Sequence, residues 1–178
     1  MNVNISNLDS TIEHWASIDG YLNYQISWWG RVVNTKTGRI LKAGRSSNSY
    51  LTVVLCKEGK MKSYSVHVLV AREWAPNPDN KRCVDHADGD TFNNHHENLR
   101  YATQSENCRN RKNQTNTSSV YKGVCWHKKA KKWVAHIQIN GKLQHLGLFA
   151  SEREAGEAYN KAAMEHFGVF AKLNIFED

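Results

Sequence analysis

The stretch RCVDHADGDTFNNHHENLRYATQSENC, residues 82–108, reads as a short strand, a polar loop, a second short strand and the start of a helix. The first strand covers 82–86, the loop 87–98 and the second strand 99–103, and the helix runs from Gln104 to about Arg111. A helix over 66–74 precedes them, with Val66, Leu69, Val70 and Trp74 at helical spacing before Pro76 and Pro78 end it. The loop is rich in acids, yet Asp85, Asp88 and Asp90 fall at offsets of three and two, out of register for a calcium loop of the EF-hand kind. Asp88-Gly89-Asp90 is better explained as turn chemistry. That leaves Asp85 and His86 at the end of a strand, with Asn98 and Asn107 downstream.

On the N-terminal side, residues 12–64 read as short strands (YQIS, GRVVN, GRILKAG, YLTVVLC, MKSYSV) separated by turns such as TKTGR and KEGK. No catalytic constellation stands out there. On the C-terminal side, KNQTNTSS (112–119) lacks large apolar side chains and reads as a linker. In KWVAHIQI the alternation sets Trp133, Ala135, Ile137 and Ile139 on one face and Val134, His136 and Gln138 on the other. Asn140-Gly141 supplies a type I′ turn into KLQHLGLF. Ser151 and Glu154 form a capping box for a helix with an apolar stripe of Ala155, Ala158, Tyr159, Ala162 and Ala163, ending near Gly168. The fold class is therefore α+β, with a small β-rich N-terminal module, a β-loop-β-α core and a C-terminal three-stranded antiparallel sheet packed on one helix. The expected bounds are 1–64, 65–111, a linker at 112–119, and 120–178.

Composition narrows the function. No segment approaches the roughly 20 apolar residues of a membrane span, and the N-terminus lacks a basic region followed by an apolar run. The expectation is a protein with no membrane partner, intracellular and cytoplasmic. Cys56, Cys83, Cys108 and Cys125 form neither a CxxC knuckle nor a disulfide framework, so reduced thiols are expected. The net charge is +7, and it is concentrated: between Asn107 and Ser151 there is no acid, while nine Lys and Arg residues are interleaved with Trp126, Trp133 and three histidines. A solvated basic face accounts for a short cluster. A segment of this length with aromatic residues in it points to a polyanion, nucleic acid first.

Phosphodiester hydrolysis needs an activated water, a cation at the phosphoryl and leaving oxygens, and a cradle for the backbone. His86 suits the base. Asp85, at the strand end, can turn into the same cleft and offer oxygen to a hard divalent ion, with Asn107 as a second oxygen ligand if its helix packs back over the strands.

The residues VHVLVAREWAPNP, VDHADGD, NNHHENLRYAT and QSENC, within 66–107, resemble the HNH endonuclease motif in the form found in phage and intron homing endonucleases. EHWASIDGYLNYQISWWGRVVN resembles the NUMOD4 module, and VYKGVCW, KWVAHI, HLGLF, SEREAGEAYNKAA and FAKLNI, within 120–175, resemble an AP2 DNA-binding domain. The resemblance implies a ββα-metal nuclease core with His86 as general base, Asn98 bracing the loop that aims it, and Asp85 with Asn107 holding one magnesium or manganese ion per active site. It implies double-stranded DNA as partner, and 5′-phosphate and 3′-hydroxyl ends as products; a monomer would nick, while a double-strand cut needs a dimer or sequential events. In the AP2 family the open sheet face enters the major groove. Here that face would carry His127, His136, Gln138 and His145, with Lys122, Lys129 and Lys132 near phosphates and Arg109, Arg111 and Lys112 contributing from the basic flank. Trp126 and Trp133 fall on the core parity. The sequence departs from the plant pattern at Cys125, His136 and Gln138, so base preference does not transfer. A non-catalytic AP2-type regulator is the first rival reading, and a zinc-bearing structural fold the second; His95 and His96 are expected to contact solvent or DNA, and His67 to be structural.

Overall fold

The computed structural model describes residues 9, 11–110 and 117–176, and its secondary structure is α+β. Backbone contacts divide the chain into two units, Met1–Gln104 and Ser105–Asp178.

In the first unit, β1 (Trp15–Ser17), β2 (Tyr24–Ser27), β3 (Val32–Asn34) and β4 (Arg39–Ile40) form an antiparallel sheet in chain order. A second antiparallel sheet is built from β5 (Gly44–Arg45), β6 (Leu51–Lys57) and β7 (Lys60–Ser65). Glu58 and Gly59, at φ 51° and 74°, make the tight turn between β6 and β7, as the KEGK stretch leads one to expect. β7 passes directly into α1 (Val66–Trp74), and Val66, Leu69, Val70 and Trp74 are all buried. Their helical spacing turns one face of α1 onto Ile26, Trp28, Val53, Leu55 and Leu99, so the N-terminal strands and the helix share a single core. Each large aliphatic residue sealed there contributes about 1.5–3 kcal/mol. Beyond α1, β8 (Cys83–His86) pairs antiparallel with β9 (Leu99–Ala102), setting Asp85 opposite Arg100 and His86 opposite Leu99.

The helix α2 (Gln104–Arg109) follows β9, and from Ser105 onward it belongs to the second unit. There β10 (Val124–His127), β11 (Lys132–Ile139) and β12 (Lys142–Phe149) form an antiparallel sheet, and α3 (Glu152–Phe167) lies on one face of it. Asn140 and Gly141 have φ 50° and 79°, the type I′ geometry. Both halves of the Ser151–Glu154 capping box are formed. Val124, Ala135 and Ile137 meet Ala155, Tyr159, Ala163 and Phe167 in the core.

Two side chains depart from simple alternation. Val134, on the parity of the open face, is only 7% exposed, because its neighbours across the strands cover it. Trp126, expected in the core, is 40% exposed, since Trp133 joins the cluster around Ala155 and leaves Trp126 edge-on against its rim at 5.1 Å. Most of the 112–119 stretch lies outside the described residues. Among those described, no helix is long and apolar enough to cross a membrane.

Candidate active site

His86 ends β8 and is 4% exposed. Its Nε2 lies 3.2 Å from the Asn94 side-chain oxygen. The Asn94 amide nitrogen donates to the Phe92 carbonyl at 3.0 Å, which fixes the orientation of that amide and turns its oxygen to the imidazole. An amide oxygen can only accept, so Nε2 carries a hydrogen, and in the neutral imidazole Nδ1 is then the nitrogen without one. The rings of His67, from the first turn of α1, and Tyr50, at the edge of β6, stand 5.1 and 6.0 Å from that of His86. Burial first, and then His86, push the His67 imidazole down to about 4, which keeps it neutral beside His86. A close approach of backbone supports Asn94 from behind: Gly30 sits at φ 86°, and a Cβ there would stand 3.0 Å from the Asn94 Cβ.

The loop between the strands is braced through Asp88 and Asn98. Asn98 accepts from the Asp88 backbone at 3.0 Å and donates to the Asp88 carboxylate at 3.0 Å and to the Asn93 carbonyl at 2.8 Å. Asp88 also takes the Asp90 amide at 2.7 Å, and Gly89 has φ 76°, which is the turn chemistry the sequence suggests. Burial raises the Asp88 carboxyl, but the Asp90 amide and the side chains of Asn93 and Asn98 outweigh it and hold the group below the usual carboxylate value. His96 is not turned outward: it stacks on Trp28 at 4.8 Å, and its backbone N–H donates to the Trp28 carbonyl at 2.8 Å. His95 lies 4.8 Å from His96, ring to ring.

Asp85 is 4% exposed and takes both Nε and Nη2 of Arg100 on its Oδ2, at 2.9 and 2.7 Å. Its contacts thus differ from those of His86, as alternation along a strand requires. Asn107 sits on α2 in the second unit and is half-buried. A carboxylate and an amide oxygen are each donors of the kind a hard divalent cation takes. Among the described residues no group of three or more His, Cys, Asp or Glu is arranged to hold a metal, and no disulfide joins the cysteines.

In the second unit, His127, His136 and His145 line a shallow trough of about 380 Å³ on the sheet face away from α3, with Leu143 and Leu148 beside them. His136 pairs directly with His145 across the strands. His127 accepts the Ala130 amide on Nδ1 at 3.0 Å, and the Gln138 amide donates to the Gly141 carbonyl at 3.4 Å. Lys129 and Lys132 are exposed. Lys122 and Arg109 are instead engaged within the unit: the Lys122 ammonium donates to the Arg109 carbonyl, and the Arg109 guanidinium lies 4.6 Å over the Phe167 ring. Arg111 and Lys112 lie outside the described residues.

Comparison with known proteins bears on this arrangement. Residues 64–109 match the HNH endonuclease family, and residues 13–56 match the NUMOD4 motif. The HNH segment contains Asp85, His86, Asn94, Asn98 and Asn107. Over 97 residues the chain is 39% identical to the DNA endonuclease I-HmuI of Bacillus phage SP01, an alignment covering 54% of this chain and 56% of that protein. The match thus spans little more than half the length of the phage relative. A solved structure of the HNH homing endonuclease I-HmuI, concerned with its DNA binding and cleavage, matches at a TM-score of 0.52 and 27% identity, covering 86% of this chain and 91% of that one. A 60-residue stretch is 42% identical to the AP2-like ethylene-responsive transcription factor AIL7 of Arabidopsis thaliana, which is 33% of this chain and 12% of that protein.

Sequence reasoning singles out Asp85, His86, Asn98 and Asn107, and misses Asn94, Arg100, Tyr50 and Gly30. Asn94 is visible within the HNH motif as the second residue of NNHHEN, but nothing in the sequence distinguishes it from Asn93. Tyr50 and Gly30 reach the site only through the shared core.

Proposed function

We propose that the chain is a site-directed DNA endonuclease of homing type, hydrolysing one phosphodiester bond per active site with His86 as general base. The observation that carries this reading is the placement of His86: a buried imidazole with Nε2 3.2 Å from the Asn94 side-chain oxygen, next in the chain to a buried carboxylate, in a segment matching the HNH endonucleases. His86 Nδ1 takes a proton from water, the water oxygen bonds to phosphorus, and the bond from phosphorus to the 3′ oxygen breaks. The 3′ oxygen leaves as a hydroxyl after gaining a proton from solvent, and the phosphate stays on the 5′ end. Asp85 and Asn107 would hold one magnesium or manganese ion, which when bound supplies positive charge to the phosphoryl and leaving oxygens. Asn98 braces the loop through Asp88 and so keeps His86 aimed.

Double-stranded DNA is the substrate on this reading. In functional terms the chain divides into a NUMOD4-like part at 1–64, the HNH part at 65–111, a connector at 112–119 and an AP2-like part at 120–178. The histidine-lined trough, with Gln138, faces base edges, while Lys129 and Lys132 approach phosphates, joined by Arg111 and Lys112. One active site cuts one strand. A double-strand break takes two copies or two successive cuts.

The test is incubation of supercoiled plasmid carrying candidate sites with the protein, with and without Mg²⁺, beside His86→Ala. Wild type is expected to yield nicked or linear DNA only with the metal, and His86→Ala to yield none while still retarding DNA on a gel. Wild type that binds every DNA and cuts none would leave the AP2-type regulator as the better description, and a His86→Ala protein that cuts as fast as wild type would overturn the assignment of the base.

A further inference from the structure

Within the second unit, the end of α2 is held by groups that the sequence alone assigns to DNA. Its last carbonyl, that of Arg109, receives the Lys122 ammonium. A cation there satisfies a carbonyl that the helix leaves without a partner and meets the negative end of the helix dipole. The Arg109 guanidinium lies 4.6 Å over the ring of Phe167, at the end of α3.

Lys122 is itself held firmly. Its N–H donates to the Asn174 side-chain oxygen at 2.6 Å, and its carbonyl accepts from the Asn174 amide at 3.1 Å. Asn174 in turn exchanges two hydrogen bonds with Asn160 of α3, at 2.9 and 2.7 Å. Gly123, next in the chain, has φ 76°, and a Cβ there would collide with the Tyr159 ring, so this turn lies flat against α3. Burial, and then Lys172, push the Lys122 amine down to about 8, in keeping with an ammonium withdrawn from water. Asn107 lies between the first residue of the second unit and the anchored carbonyl, only two positions before Arg109.

We propose that Lys122 and Phe167 are positioning residues for the nuclease: they fix α2, and with it Asn107, so the AP2-like unit sets the metal-binding helix as well as contacting DNA. This rests on the reading of Asn107 as a metal ligand. A basic residue of a DNA-binding unit is expected to act on DNA affinity; Lys122 acts on metal affinity, whereas the exposed Lys129 and Lys132 act on DNA.

The experiment compares wild type, Lys122→Met, Phe167→Leu, Lys129→Ala and Asn107→Ala, each bound to a duplex with a non-hydrolysable linkage at the scissile position. Mn²⁺ binding is read by electron paramagnetic resonance, and exchange protection of the 105–110 amides by mass spectrometry. Lys122→Met and Phe167→Leu are expected to weaken Mn²⁺ binding on the order of tenfold, the usual cost of losing a group that orients a ligand, and to speed exchange over 105–110 with DNA affinity unchanged. Lys129→Ala is expected to do the reverse, weakening DNA binding alone. Protection of the α3 amides monitors folding, and Lys122→Met leaves the apolar core intact should Phe167→Leu loosen it. If Asn107→Ala abolishes Mn²⁺ binding while Lys122→Met binds it as wild type does, the positioning role is overturned and the ligand assignment stands. If Asn107→Ala binds Mn²⁺ normally, the reading of Asn107 itself fails. If Lys122→Met loses DNA affinity and keeps metal affinity, Lys122 is a phosphate contact.

Discussion

Replacing Asn94 by alanine isolates how much of the His86 chemistry is orientation. The substitution removes two hydrogen bonds, one from the imidazole at 3.2 Å and one to the Phe92 carbonyl at 3.0 Å, in a site where Asn94 is 4% exposed. Neutral buried hydrogen bonds contribute about 1 kcal/mol each, and an orphaned partner adds a similar amount, so the first unit should lose about 1–3 kcal/mol of stability. The kinetic effect has a separate origin. The Asn94 oxygen biases the imidazole toward the Nε2–H tautomer, and losing about 1.4 kcal/mol of bias moves the tautomer ratio roughly tenfold against a basic Nδ1. Free rotation of the ring adds to this, giving a fall of about 10- to 1,000-fold in the single-turnover cleavage rate. DNA affinity should be unchanged. The assay is single-turnover cleavage of a labelled duplex at saturating enzyme, with urea unfolding alongside. Asn94→Asp retains an acceptor and should recover much of the rate. An Asn94→Ala protein that is destabilised as expected but cuts at the wild-type rate would refute the argument, because orientation of the base would then not depend on the amide.

Two further predictions concern the units separately. His67 is held near 4 against an ordinary value of 6.5, so the stability it contributes is complete above about 6.5 and is lost as the pH falls through that value toward 4. After allowance for solvent screening this amounts to about 2 kcal/mol, and His67→Leu should flatten that part of the curve of urea midpoint against pH. A slope unchanged in His67→Leu would place the acid sensitivity elsewhere. Gly123→Ala meets the Tyr159 ring and the His136 carbonyl, the latter at 2.7 Å, and carries a positive φ as well. It should cost the C-terminal unit at least about 2–4 kcal/mol, seen as an early thermal transition with the first unit's core intact; an unaltered melting curve would contradict the close packing of this turn.

The local elements were legible because they are encoded by neighbours in the chain. Helical spacing gave α1 at 66–74, the Asn140-Gly141 pair gave the β11–β12 hairpin, and Ser151 with Glu154 gave the start of α3. The HNH segment was legible for the same reason: Asp85, His86 and Asn98 lie within fourteen consecutive positions, and Asn107 follows at fixed spacing. Burial was harder to read. Trp126 and Trp133 share a parity, yet only Trp133 joins the core cluster, because coverage by α3 depends on where along the strand a residue sits.

By itself, then, the sequence determined the α+β class and marked His86, within an HNH-like stretch, as the candidate base, both of which follow from short-range periodicity and motif spacing. Only the tertiary structure decided how those residues are supported. The amide that fixes His86, the glycine behind that amide, and the rings of Tyr50 and His67 come from segments far apart in the chain, and the core formed by α1 with the N-terminal strands brings them together. Lys122 makes the same point in the other unit. Its charge marks it for DNA, but whether a lysine meets phosphate or a helix carbonyl depends on which backbone lies beside it after folding, and pattern along the chain does not carry that information.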